Sequence, residues 1–215
     1  MKLLDLTHPI TENMPVFPGS PLPKLQPIAA VETEGYREHS ISITTHTGTH
    51  IDAPAHILNE GLTLDQMDIG CFFGSAAVLD CRRPATEGRQ IEIDDLREFE
   101  EIISENDFLL LYTGWDTFWG TEKYYSGFPA LSEDAAVWLS DFGLKGIGID
   151  TISADRADSQ DLPVHSILLE NGTIIIENLT GLNALIGLDF IFSCMPLKFA
   201  GADGSPVRAV ALLTS

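Results

Sequence analysis

Apolar runs along the chain are short, and most have the length of strands. Residues 3–6 read as an opening strand. Residues 39–45 alternate, with Ile41 and Ile43 on one face and Ser40, Ser42 and Thr44 on the other, the pattern of a half-buried strand. Residues 74–79 and 108–112 are continuous apolar runs, typical of buried strands. Further strands are predicted over 146–149, 173–177, 190–194 and 207–213. Helical spacing occurs in three places. Asp94 or Asp95 can cap a helix that continues through Leu96, Phe99, Ile102 and Ile103. Ser132 can cap a second, with Ala135, Ala136 and Leu139 inside and Gly143 ending it. A short third helix over 164–169 stops at Asn171-Gly172. Pro9, Pro15, Pro18, Pro21, Pro23 and Pro27 punctuate an irregular arm that excludes a helix and a central strand. Met14, Phe17 and Leu22 imply that this arm packs on something, bordering a site or another subunit.

Strands outnumber helices, and strand pairs mix with βα steps. This predicts an α/β or α+β fold, a mixed sheet or partial barrel with flanking short helices. No linker rich in Pro, Gly and Ser divides the 215 residues, so one domain over 1–215 is expected. No Gly-x-Gly-x-x-Gly follows the first strand, which argues against a Rossmann nucleotide site.

Composition narrows the function classes. A 44% hydrophobic and 20% charged chain is an ordinary folded protein. Its formal net charge of -20 disfavours nucleic acid and anionic membranes as partners. Cys71, Cys81 and Cys194 form no CxxC pair and sit among apolar residues, so buried free thiols and a reducing, cytoplasmic setting are expected. The first residues lack the apolar core of a signal peptide, and no stretch is long enough to predict a membrane span.

One segment carries chemistry: His46-Thr-Gly-Thr-His50-Ile-Asp52-Ala-Pro-Ala-His56. It holds three of the six histidines beside an aspartate, and imidazole with carboxylate suits Zn²⁺ or Mn²⁺. His50 and Asp52, two apart, point the same way in extended backbone. Gly48 and Pro54 oppose a helix, so this is no helical zinc motif; a strand is expected to leave its sheet at Gly48, letting His46 and His50 converge. Four such groups also fit a structural hydrogen-bond network. A metal needs further ligands, and His165, at the start of a short helix, and Glu177, after three isoleucines, are candidates. Asp150 and Asp155, flanking a turn rich in Thr and Ser, read as structural first, with bordering the site as the alternative, and 201–206 reads as a tight turn. Arg208 fits a structural ion pair at least as well as a substrate carboxylate.

The segment 46–56 resembles the signature of the cyclase-like metal hydrolases, the family of bacterial kynurenine formamidase and isatin hydrolase. The resemblance extends to Asp5-Leu-Thr-His8-Pro-Ile, Met14-Pro-Val-Phe-Pro-Gly19, Gly148-Ile-Asp150-Thr, Ile176-Glu177-Asn-Leu179 and Gly201-Ala-Asp-Gly-Ser-Pro-Val-Arg208. It implies a swivelling β/β/α domain, assembled as a homodimer or homotetramer. It also implies two divalent ions, zinc or manganese. His46 and His50 would hold the first, His165 the second, with Asp52 and Glu177 bridging. His56 matches the family's catalytic histidine. Phe17 stands where formamidases carry a substrate-contacting tryptophan, keeping an aromatic face without the indole N–H. The implied reaction is hydrolysis of N-formyl-L-kynurenine to L-kynurenine and formate by metal-activated water. A cyclic amide is the alternative substrate, and a non-catalytic metal-binding protein the alternative class.

Overall fold

The computed structural model describes residues 1–213. Its strands are β1 (Lys2–Asp5), β2 (Lys24–Ala29), β3 (Glu38–Ser42), β4 (His50–Asp52), β5 (Phe73–Asp80), β6 (Phe108–Tyr112), β7 (Gly146–Ile149), β8 (Ile174–Glu177), β9 (Phe190–Ser193), β10 (Gly204–Pro206) and β11 (Val210–Leu213). Nine of them form one sheet, ordered β1-β11-β9-β5-β6-β7-β8-β4-β10. Pairing is parallel from β5 through β8 and antiparallel elsewhere. The result is an α/β fold with a mixed, partly curled sheet and short flanking helices, as the sequence predicts.

The helices are α1 (Val31–Glu34), α2 (Arg82–Glu87), α3 (Ile93–Leu96), α4 (Glu100–Ser104), α5 (Glu133–Ser140) and α6 (Pro163–Glu170). The central parallel strands are buried on both faces, which explains their unbroken apolar runs. Leu109, Leu111, Ile147 and Ile175 face α5 and α6 through Ala135, Leu139, Val164 and Leu168. Leu110, Ile174, Ile176, Phe192 and Leu179 fill the opposite face. Each fully buried side chain of this size stabilises the fold by about 1.5–3 kcal/mol. β7 is kept narrow by glycine: a Cβ on Gly148 would lie 2.5 Å from Leu179 Cδ1 and 2.6 Å from Leu110 Cδ2.

Several expectations change. The alternating stretch is exposed over β3 and half-buried only at 43–45: among the described residues β3 pairs with β2 alone, in a separate two-stranded sheet, and Ile41 is exposed because no layer covers it. The proline-rich arm is not irregular throughout: it ends in β2, an edge strand of this two-stranded sheet, so the exclusion of a helix and a central strand holds. The helix expected through Ile103 is broken into α3, a tight turn and α4, and its cap is Glu92, in a reciprocal capping box with Asp95. Ser132 caps α5 as expected. Residues 204–206 are an edge strand rather than part of a turn. Cys81 and Cys194 are buried and free; Cys71 is free but only half-buried. Among the described residues, no helix is long and apolar enough to cross a membrane.

Candidate metal centre

Gly48 adopts a left-handed conformation, φ +65°, and a Cβ there would press on Met14. The chain therefore turns before entering the sheet as β4, instead of leaving a strand at this point. In β4, His50 and Asp52 project to one face. The register sets Glu177, the last residue of β8, directly opposite His50. His165 comes from the first turn of α6, behind Pro163, on the helix-covered face. Pro54 opens a short turn that carries His56. All six side chains, His46, His50, Asp52, His56, His165 and Glu177, line one cavity of about 230 Å³, with Phe17 on its wall.

The orientation of each ring follows from its partners. The Nδ1–H of His50 donates to the Gly48 carbonyl at 2.7 Å, because a carbonyl only accepts. Its Nε2 then faces Asp52 at 3.2 Å and Glu177 at 3.5 Å. The Nδ1–H of His165 donates to Asp155 at 2.7 Å, leaving Nε2 toward Glu177 at 3.2 Å and Asp52 at 3.5 Å. Asp155 also accepts from the backbone N–H groups of Val164 and His165, both at 3.0 Å, so it caps α6 while fixing the ring. His46 lies between two carboxylates, with Nδ1 at 2.6 Å from Asp52 and Nε2 at 2.9 Å from Asp203. Asp203 also reaches His56 Nδ1 at 3.3 Å.

Burial disfavours charge on these imidazoles, and the carboxylates outweigh it at three of them. His46 is raised to about 9 by Asp52 and Asp203 against its burial. His50 and His165 are raised in the same way, the latter chiefly by Asp155. His56 is the exception: burial lowers it despite the nearby Asp52 charge. Asp52 is held well below the usual carboxylate range by His50 and its other imidazole neighbours, although burial opposes this.

A divalent cation fits this donor set. Asp52 is 1% exposed, yet its Oδ2 is buried without a hydrogen-bond partner. A buried anionic oxygen needs a partner, and a cation supplies one. Ligand atoms of two groups, His46 with Asp52 and His56, and His50 with Asp52 and Glu177, each lie within 4.8 Å of one another. Two such groups sharing Asp52 are consistent with divalent-metal use.

Other candidates stand apart. Arg208 pairs with Asp5 at 2.6 and 2.8 Å and does not line the cavity. Asp150 accepts from Thr113 and from the Gly114 backbone, which ties the β6 and β7 ends together. Asp203 is a neighbour of the site that sequence reasoning missed; Asp155, read first as structural, borders the site through His165. Asp155 lies too far before α6 to read as its cap. Asp203, in a run expected to turn, precedes a strand that the register brings beside β4.

Comparison with known proteins agrees with the geometry. Residues 4–156 match the cyclase family, described as "Putative cyclase". The chain is 33% identical over 207 residues to a kynurenine formamidase of Geobacillus thermodenitrificans, covering 96% of this chain and 95% of that one. It superposes on a solved structure described as a potential metal-dependent hydrolase with cyclase activity (TM-score 0.83, 31% identity, 100% and 98% coverage). Isatin hydrolase A from Labrenzia aggregata, solved bound to benzyl benzoate, shares the fold (TM-score 0.91, 24% identity, 100% and 94% coverage). With its paired ligand groups and these relatives at near full length, the chain belongs to the cyclase-like family of metal-dependent hydrolases.

Proposed function

We propose that the chain hydrolyses the C–N bond of a small aromatic amide. In this reading His46 and His50 hold one divalent ion and His165 a second, with Asp52 and Glu177 shared between them. Zinc suits the set, and manganese is the alternative. The observation that carries the reading is the convergence of imidazole nitrogens on the buried Asp52–Glu177 pair, with each opposite ring nitrogen held elsewhere. Such ions lower the pKa of water and polarise a carbonyl oxygen.

His56 moves the proton. Its Nδ1 faces Asp203, so Nε2 is the atom available to take a proton from the attacking water and return it to the leaving nitrogen. An amide nitrogen leaves poorly without that proton. Burial keeps His56 neutral near pH 7, the state that can accept. Phe17 offers its ring face to an aromatic substrate.

One observation bears on the substrate. Among the described residues, the cavity lining holds no lysine or arginine. A neutral cyclic amide such as isatin needs no cation, whereas N-formyl-L-kynurenine brings a carboxylate that no side chain of this lining would pair. The cyclic amide therefore fits this cavity better, with N-formyl-L-kynurenine the second reading on the strength of the 33% identical relative. The exposed apolar residues Ile28, Val31, Tyr36 and Ile41 on the β2–β3 hairpin support a homodimer or homotetramer. Three free cysteines suit a cytoplasmic setting. The test is hydrolysis of isatin and of N-formyl-L-kynurenine by zinc-loaded protein, with a chelated blank. Chelator-sensitive turnover of isatin above that of the formamide supports the reading. Faster turnover of the formamide reverses the substrate order, and no turnover of either removes the reaction.

A further inference from the structure

We propose that Asp203 is a positioning residue that sets the tautomers of two histidines at once through one carboxylate oxygen. The proposal rests on the reading of His56 as the proton-transfer group. Asp203 immediately precedes β10, whose Gly204 pairs with Asp52 of β4. Its carbonyl accepts from the Ala53 N–H at 2.8 Å, so its backbone is tied to the end of β4. The approach beside it is close: a Cβ on Gly204 would lie 2.7 Å from His46 Cε1. The position of the side chain is therefore set by the sheet edge.

Its Oδ2 lies 2.9 Å from His46 Nε2 and 3.3 Å from His56 Nδ1. The two rings are 4.0 Å apart between centroids, so both reach the one oxygen side by side. An ionised carboxylate only accepts hydrogen bonds. Both ring nitrogens that face it must then carry hydrogen. At His46 the other nitrogen, Nδ1, faces Asp52 inside the candidate cation site, and is the one that would give up its hydrogen to a bound cation. His56 is left with the Nε2 lone pair free for the cavity it lines. Among the described residues, Asp203 is the side-chain hydrogen-bond partner of His56. An unsupported neutral imidazole prefers its hydrogen on Nε2, which would present a proton where a base is required. One aspartate thus couples the ligand role of His46 to the base role of His56.

The test is nitrogen NMR of histidine-labelled, zinc-loaded protein, which reads the tautomer of His56 without substrate. Wild-type protein should hold His56 in the Nδ1–H form. In Asp203→Ala, His56 should move toward the Nε2–H form, and kcat at full zinc occupancy should fall about 10–100-fold with KM little changed. Asp203→Asn, which keeps an oxygen at that point, should restore the wild-type tautomer and most of kcat. Asp203→Ser, too short to reach His56, serves if the alanine variant does not fold. An unchanged His56 tautomer in the alanine or serine variant overturns the proposal, including the case in which zinc is lost and Asp203 only supports His46. If wild-type protein hydrolyses no amide while the tautomer still responds, the proposed reaction fails and the positioning role stands.

Discussion

Removal of Asp155 separates the mechanical support of His165 from the rest of the fold. Asp155 is buried and accepts three hydrogen bonds, from Val164 N, His165 N and His165 Nδ1. Asp155→Ala deletes the cap of α6, at a cost of about 1 kcal/mol. It also deletes the charged bond to the imidazole, for a further 1.5–3 kcal/mol or so. The sum is about 2.5–4 kcal/mol in metal-free protein, or roughly 5–15 °C in Tm for a chain of this size. Freed of Asp155, His165 no longer presents Nε2 to Asp52 and Glu177, and zinc affinity should fall about 10–100-fold. Asp155→Asn should behave differently. Its single oxygen can keep the two bonds to His165 and lose the one to Val164, costing about 1 kcal/mol with zinc affinity nearly retained. Thermal unfolding in excess chelator reads the first quantity, and zinc titration against a chromophoric competitor the second. Unchanged zinc affinity in a destabilised Asp155→Ala protein would refute the reasoning, leaving Asp155 as a helix cap alone.

His56→Ala should lower turnover about 10²–10⁴-fold with zinc content kept; loss of zinc, measured by elemental analysis, would make His56 a ligand, as its grouping with His46 and Asp52 allows. Zinc uptake at pH 7–8 should release protons. His46 is raised to about 9 and carries a proton that the cation must displace, so affinity should rise with pH toward that value. Calorimetry in buffers of different ionisation enthalpy counts the protons, and a release of none would contradict the assignment of His46. Asp95→Ala should destabilise by about 1–3 kcal/mol at pH 7, where Asp95 holds Arg89 and Arg83 and closes the cap of α3. Arg89, against burial, keeps this carboxyl below the usual range. Its contribution is therefore present above the ordinary carboxylate value of about 4 and fades as pH falls through and below it. Urea unfolding at pH 7 and pH 3 checks this, and an equal cost at both would refute it.

Much of the centre was legible because its residues are local. His46, His50, Asp52 and His56 fall within eleven positions, and the alternation of extended backbone already aligns His50 with Asp52. His165 and Glu177 became candidates through helix-start and strand-end signals, and their roles came from the family resemblance. What unites them is the register His50↔Glu177 and the packing of α6 on the sheet, neither of which periodicity contains. Asp203 stayed hidden for the same reason. Only the pairing of β10 with β4 carries it to His46 across more than 150 positions. The strand β3 shows the opposite limit. Its alternation is real, but burial depends on a covering layer, and the hairpin has none.

The central claim is that the cluster holds two divalent cations through Asp52 and its neighbours. The most direct measurement is zinc stoichiometry by elemental analysis, after saturation and removal of excess metal, for wild-type protein and Asp52→Ala. Two zinc ions per chain in the wild type, and near-complete loss in the variant with the fold retained by circular dichroism, are the predicted results. A wild-type protein that retains no zinc or manganese, or an Asp52→Ala protein that retains both ions, would contradict the account.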